Sequence, residues 1–274
     1  MKILLTYISP GKTTEKISHL LSDRFTRDGH QVALLNIGRP GSRSYREVGA
    51  GIFDGVNLIG VGSPVFHMRA FEPLERFLEE ALPHAAGHIH AFLYLTYGGI
   101  TTGRAFLNLS RLLEKHGVPL IGAFKVWAPH FFNPAQYPDP AAAQTVEDFC
   151  RRTSDNRFRA IEWDRVRPVF SNQSRKARMI YPFTELIGRL RQLPIHFDRV
   201  KCSGCGRCVN ECPAGALRLE GIPIRDPEKC LYCYRCTVVC PRKAVICATE
   251  KVEKMMESNK KVLGEEQPRN AVYF

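Results

Sequence analysis

The stretch Lys2-Ile3-Leu4-Leu5-Thr6-Tyr7-Ile8-Ser9-Pro10-Gly11-Lys12-Thr13-Thr14-Glu15 passes from an apolar run into a loop of small and hydroxyl residues. Residues 2–7 read as a strand, because the run is too short for a helix and breaks at Ser-Pro-Gly. Ile17, Leu20, Leu21 and Phe25 then recur at helical spacing over 13–29, and residues 31–37 turn apolar again. The opening is therefore a strand, a helix and a second strand. The alternation continues with strands over 56–61, 90–97 and 118–126 and helices over 71–82 and 104–116. Strands apolar on both faces and separated by helices predict an α/β fold, a doubly wound five-stranded parallel sheet. Ligands of such sheets lie outside the carboxyl ends of the strands.

Three loops fall at those ends. The first, Ser9 to Glu15, places small hydroxyl residues and backbone N–H groups at a helix start, which is a site for a phosphate; Ser9 and Thr13 could equally serve only as helix caps. Gly11-Lys12-Thr13 also overlaps a nucleotide-binding phosphate loop, but Thr6 stands where that motif has its first glycine and Pro10 removes an N–H. The second loop is Ser63-Pro64-Val65-Phe66-His67-Met68. The third is Thr96-Tyr97-Gly98-Gly99-Ile100-Thr101-Thr102-Gly103. Both combine permissive backbone with aromatic rings, as a planar ligand on the sheet edge requires.

Composition narrows the class. With 274 residues, 44% apolar and 24% charged, the chain is neither disordered nor collagen-like. Thirty-nine Lys and Arg against 27 Asp and Glu give +12, which alone would point to an acidic partner such as nucleic acid. The charge is uneven: 14 basic and 13 acidic residues in 1–150, 13 and 5 in 151–201, 12 and 9 in 202–274, or +1, +8 and +3. Ten cysteines are too few for a disulfide scaffold, and near the N-terminus only Ile3 to Leu5 are consecutively apolar before Thr6, which is no secretory or membrane segment. A cytoplasmic setting with cysteines as metal ligands is the expectation.

Cys202-x2-Cys205-x2-Cys208-x3-Cys212-Pro213 recurs 28 residues later as Cys230-x2-Cys233-x2-Cys236-x3-Cys240-Pro241. Zinc sites take two C-x2-C pairs across a longer loop; three cysteines within seven residues instead let one tight loop reach three corners of a cubane. In runs of this pattern the fourth cysteine ligates the other cluster, which assigns Cys202, Cys205, Cys208 and Cys240 to one [4Fe-4S] cluster and Cys230, Cys233, Cys236 and Cys212 to a second. Gly204 and Gly206 keep the first loop clear for backbone N–H groups, whereas the second carries Tyr232, Tyr234 and Arg235. Cys150 and Cys247 lie outside the runs and read as buried thiols.

The three strand-end loops, in their order and spacing, resemble flavodoxins over about residues 1–150, and the cysteine runs resemble bacterial two-cluster ferredoxins over about 196–250. Together they resemble the EFR-type ferrodoxins and, more broadly, iron-sulfur flavoproteins: a flavodoxin-like domain followed by a small α+β ferredoxin domain. The resemblance implies FMN, its phosphate on Ser9 and Gly11, Lys12, Thr13 and Thr14, and its ring between Pro64, Val65 and Phe66 on one side and Thr96, Tyr97, Gly98 and Gly99 on the other. The usual loop is Ser-Gly-Thr-Gly-Asn-Thr, so Pro10 and Lys12 depart from it; Lys12 can supply a charge to the phosphate. Tyr97, Phe66 and Trp127 are candidates for ring stacking or for core filling.

The expected organisation is a flavodoxin-like FMN-binding domain over 1–165, a basic connector with an amphipathic helix over 166–195, a ferredoxin-like domain over 196–250 and a charged tail over 251–274. In the connector, Phe183, Leu186, Ile187 and Leu190 form an apolar stripe opposite Glu185, Arg189 and Arg191. The expected function is electron transfer between FMN and a redox partner protein through two clusters, with an acidic ferredoxin or flavodoxin as partner for the basic connector. Nucleic acid is not expected, because aromatic residues are not interleaved with the arginines of 151–201. A phosphate-loop ATPase with a ferredoxin module, and a docking domain without cofactor, remain as alternatives.

Overall fold

The computed structural model describes every residue of the chain except 86, 88, 131–135, 154–158, 171–174, 184–192 and 265–268. The first 127 residues supply strands β1 (Lys2–Tyr7), β2 (Gln31–Asn36), β3 (Leu58–Phe66), β4 (Arg69–Ala70), β5 (His90–Tyr97) and β6 (Leu120–Trp127). Five of them run parallel in the order β2-β1-β3-β5-β6, and β4 folds back on β3. Counting parallel strands only, this is the order 2-1-3-4-5 of flavodoxin-like doubly wound sheets, with its switch point between β1 and β3.

Helices α1 (Thr13–Arg27), α2 (Tyr45–Val48), α3 (Glu72–Ala81), α4 (Ala105–Lys115) and α5 (Pro140–Thr153) cover the two faces. Strand side chains alternate: Ile3 and Leu5 join Ile17, Leu21 and Phe25 of α1 and Val146 and Phe149 of α5 in one core, while Leu4 joins Leu74 and Phe77 of α3 and Leu109 and Leu113 of α4 in the other. Each such side chain, fully buried, contributes about 1.5–3 kcal/mol. Gly62 of β3 lets the Tyr94 ring of β5 lie flat across the strand, since a Cβ there would stand 2.2 Å from it. Tyr94 is fully buried, and its hydroxyl shares a 2.7 Å hydrogen bond with Ser18 of α1.

The structure departs from two expectations. The second strand-end loop is not open: β3 runs on through Pro64, Val65 and Phe66 and turns at His67 and Met68 (φ +48° and +63°) into β4. The Ser63 hydroxyl accepts from the Phe71 N–H at 2.9 Å and closes the hairpin. The residues read as a charged tail instead carry a helix, Thr249–Leu263, and a strand, Ala271–Tyr273, that pairs antiparallel with the edge of β6. Three residues carry no usable period; the open edge of β6 specifies them.

In the basic connector, helix Trp163–Phe170 ends on Phe170, which stacks on Phe106 of α4 at 4.7 Å. The expected amphipathic stripe at Leu186, Ile187 and Leu190 lies outside the described residues. The cysteine-bearing part pairs Ile195–Phe197 with Val245–Cys247 and Leu217–Glu220 with Ile222–Arg225, around Ile195, Leu217, Val239 and Val245. Among the described residues no helix is long and apolar enough to cross a membrane.

Candidate cofactor sites

The two cysteine runs repeat one local structure. Asp198 accepts from the N–H groups of Val200 and Lys201 at 2.9 and 3.1 Å, and Asp226 from those of Glu228 and Lys229 at 3.0 and 3.3 Å. Ala216 and Ala244 each donate an N–H to the sulfur four residues back, Cys212 and Cys240, at 3.3 and 3.2 Å. Left-handed backbone recurs at the same offset: Gly204, Gly206 and Gly215 have φ of +66°, +70° and +61°, and Tyr232, Tyr234 and Lys243 have +48°, +56° and +51°. Glycine adopts this conformation freely, whereas a side chain costs about 1–2 kcal/mol. Contacts hold the tyrosines there: the Arg225 guanidinium lies 4.9 Å from the Tyr232 ring centre, and the Tyr234 hydroxyl accepts from the Leu193 N–H at 3.1 Å.

One cavity is lined by Cys202, Cys205, Cys208 and Cys240. It opens to solvent at Cys205, whose thiol is held below its usual range by the Arg207 backbone N–H. The remaining thiols form a second group. Burial pushes Cys233 up to about 12, with Cys212 and Cys230 adding to the shift, and burial together with Cys233, Cys230, Cys208 and Cys212 raises Cys236. Leu231 and Cys233 pack against the core that holds Val65 and Phe66. The second group therefore faces the flavodoxin-like domain and the first faces outward. Among the described residues no three His, Cys, Asp or Glu side chains close on a single-ion site. Cys150 is buried in the α1 and α5 core, and Cys247 is half-buried.

At the end of β1, Lys12 caps α1 with φ +67° and no side-chain hydrogen bond. The Ser9 hydroxyl accepts from the Glu15 N–H at 2.9 Å, while the N–H groups of Gly11, Thr13 and Thr14 have no acceptor among the described residues. Thr14 is buried, and its hydroxyl shares a 2.8 Å hydrogen bond with Thr96, tying this loop to the end of β5. Pro64 pairs with Thr96 across β3 and β5. Gly103 rests against the Met68 carbonyl, and the Arg104 N–H donates to that carbonyl at 2.7 Å, so hairpin and third loop are pressed together.

The ring candidates are spoken for unequally. Phe66 packs edge-on against Phe71 at 5.3 Å. The Tyr97 hydroxyl donates to the Arg269 carbonyl at 2.8 Å, and the Arg269 guanidinium stacks 3.8 Å from the centre of Trp127, which also covers Gly99. His130 packs on Gly98.

The contact that sequence reading missed is Arg235. It lies in the second cysteine loop, is 8% exposed, donates to the carbonyls of Pro10 and Ser9 at 3.2 and 3.5 Å, and pairs with Glu211. Burial works to raise the Glu211 pKa, but Arg235, Arg207 and Arg39 outweigh it and hold the carboxyl below its usual range. A crevice at this junction is walled by Ser9, Pro10, Asn36, Arg39, Glu211 and Arg235. A repeat comparison extended past the cysteines would have flagged Arg235, because its counterpart 28 residues earlier is also an arginine, Arg207.

The donor sets fit the groups they are read to hold. Eight cysteine thiols stand in two groups of four, with a backbone N–H on the sulfur of Cys212 and of Cys240, and the start of α1 carries three N–H groups without acceptors among the described residues beside the hydroxyls of Ser9, Thr13 and Thr14.

Residues 201–244 match the family model of the 4Fe-4S dicluster domain. The chain is 49% identical over 47 residues to a component of the ion-translocating oxidoreductase complex of Methanosarcina acetivorans, covering 17% of this chain and 18% of that protein. It is 37% identical over 57 residues to an uncharacterized ferredoxin of Methanocaldococcus jannaschii, covering 19% of this chain and 92% of that one. A solved flavodoxin from the domain Archaea is 15% identical, with 57% of this chain and 98% of that one covered at a TM-score of 0.46. The chain spans less than a fifth of the length of the first of these relatives.

Proposed function

Because the chain belongs, through residues 201–244, to the 4Fe-4S dicluster ferredoxins, we propose that it is an electron-transfer iron-sulfur flavoprotein with one FMN and two [4Fe-4S] clusters. The observation that supports this reading is the Arg235 contact, which ties the second cysteine loop to the carbonyls of Ser9 and Pro10, in the loop read as the seat of the FMN phosphate. When bound, flavin exchanges electrons singly or in pairs whereas each cluster passes one at a time, so the pairing joins two-electron to one-electron chemistry.

The chain's own residues do the positioning. Ser9, Thr13 and Thr14 offer hydroxyls and Gly11, Thr13 and Thr14 offer N–H groups for the FMN phosphate, with Lys12 as a nearby charge. Cys212, Cys230, Cys233 and Cys236 would hold the cluster next to this domain, with Cys236 buried and the other three half-buried. Cys202, Cys205, Cys208 and Cys240 would hold the outer one, which makes it the exchange point for a redox partner.

Anaerobic reconstitution, metal and flavin assays and absorption spectra before and after dithionite test the reading. About eight irons and one FMN per chain are expected. Clusters without flavin would leave only a ferredoxin with a docking domain, and an ATP titration with micromolar saturation would favour the phosphate-loop ATPase.

A further inference from the structure

We propose that the face around the outer cysteine group is the docking surface for an acidic, one-electron carrier protein, centred on Arg207 and flanked by Arg199, Lys201, Arg242 and Lys243. This rests on the reading above and adds to it the place and chemistry of the partner.

Arg207 and Arg235 occupy the same position in the two cysteine loops, 28 residues apart. Arg235 is buried, donates to the carbonyls of Ser9 and Pro10, and pairs with Glu211. Applying the repeat to that pair maps Arg235 onto Arg207 and Glu211 onto residue 239, which is Val239. Arg207 is exposed and forms no ion pair within the described residues; Glu211, which pairs with Arg235, feels the Arg207 charge without contacting it, and Val239 stands where the repeat would place a second carboxylate. Pro213 lines the crevice beside Arg235, and its repeat mate Pro241 lines the cavity beside Arg207. The outer loop thus presents to solvent the same arginine and proline that the inner loop presents to the phosphate loop.

The surroundings extend the charge. The Asp198 N–H donates to the Ala244 carbonyl at 2.8 Å, which brings Arg199 and Lys201 beside Arg242 and Lys243. All four are exposed, and none of the described residues lining the cavity is acidic. Asp198 is the carboxylate at this junction; it caps Val200 and Lys201 and pairs with Lys201 at 3.5 Å. Val200, between the two cations, is 95% exposed, and Cys205 is exposed too. A basic ring with an apolar point beside a solvent-facing ligand suits brief, charge-steered contact with an acidic carrier.

The test titrates the anaerobic holoprotein with a gallium-substituted, redox-inert acidic plant-type ferredoxin, by calorimetry at low and at about 0.2 M salt. Arg207→Glu is expected to weaken binding at low salt about tenfold or more, and the pair Arg199→Glu with Lys243→Glu by a similar factor. Lys260→Glu, an equal charge change on the exposed C-terminal helix, should shift it less than about twofold. If Arg207→Glu loses iron, the Arg199 and Lys243 pair, which line no part of the cavity, decides alone. Full iron content with equal effects from all variants overturns the docking surface and leaves the cofactor reading intact. Binding of a DNA duplex that these variants abolish while ferredoxin is unaffected, or a self-association that Arg207→Glu dissolves, also overturns it. A wild-type protein that takes up no iron overturns both.

Discussion

Lys12 stands where the usual flavodoxin phosphate loop has a glycine, and its φ of +67° shows why glycine is favoured there. The departure is legible in the sequence; its backbone cost is not, because nothing in Gly11-Lys12-Thr13 states which residue turns left-handed. Lys12→Gly separates the two roles: stability should rise by about 1 kcal/mol as the strain is relieved, while FMN affinity falls by the lost charge, read by thermal melts of the apoprotein and by fluorescence titration. Arg235 gives the opposite lesson, since the sequence shows it in the cluster loop but cannot say that it spans 225 positions to Pro10. Arg235→Met leaves Glu211 and the Pro10 carbonyl without their donor and should cost about 1–3 kcal/mol. Its partner sets a pH dependence. The folded Glu211 pKa lies below the usual value, so the pair stabilises above the unfolded value of about 4.3 and that stability is lost as pH falls through the folded one. Melting temperature of wild type against Glu211→Gln should therefore converge in acid and diverge toward neutral pH; parallel curves would remove Glu211 from the interface.

At the scale of elements, the parallel strands are readable because each is apolar on both faces and bounded by turn residues, and β5 spans the expected 90–97. The end of β3 is misleading for a specific reason: Ser63-Pro64 reads as a break, yet Pro64 sits in the strand and the real turn is His67-Met68, which carries no glycine. Tight hairpin turns usually mark themselves with Asn-Gly. Left-handed backbone at two bulky residues is held by what packs on it, above all Gly103, where a Cβ would stand 2.0 Å from the Met68 carbonyl oxygen. Both partners are backbone, so neither can swing aside. Gly103→Ala is expected to cost about 2–3 kcal/mol and to part the hairpin from the start of α4; loss of FMN binding with an otherwise cooperative melt would place the damage at the ring site.

For the whole molecule, the path of the chain matters as much as its parts. Two composition blocks read as consecutive domains, but the last strand returns to the first domain's sheet, so the ferredoxin module is tethered at both ends. The return is specific: the Trp127 N–H donates to the Asn270 side chain at 2.8 Å, the Tyr97 hydroxyl to the Arg269 carbonyl at 2.8 Å, and Val272 lies opposite Phe124 in β6. Composition could not reveal this, because a three-residue edge strand depends on what it pairs with. The tether and Arg235 act on the same module from two sides, one through the sheet and one through the loop that follows β1. Truncation after residue 268 removes the first and spares the second. It removes the Arg269 carbonyl that accepts from the Tyr97 hydroxyl, the Asn270 side chain that accepts from the Trp127 N–H and the strand paired with β6, and should cost the α/β domain about 2–4 kcal/mol. Combined with Arg235→Met, it should free the module: limited proteolysis would cut the connector faster than in either single variant, by more than the product of their separate effects if the two restraints back each other up. Rates that multiply without excess would mean that each restraint acts on the module independently.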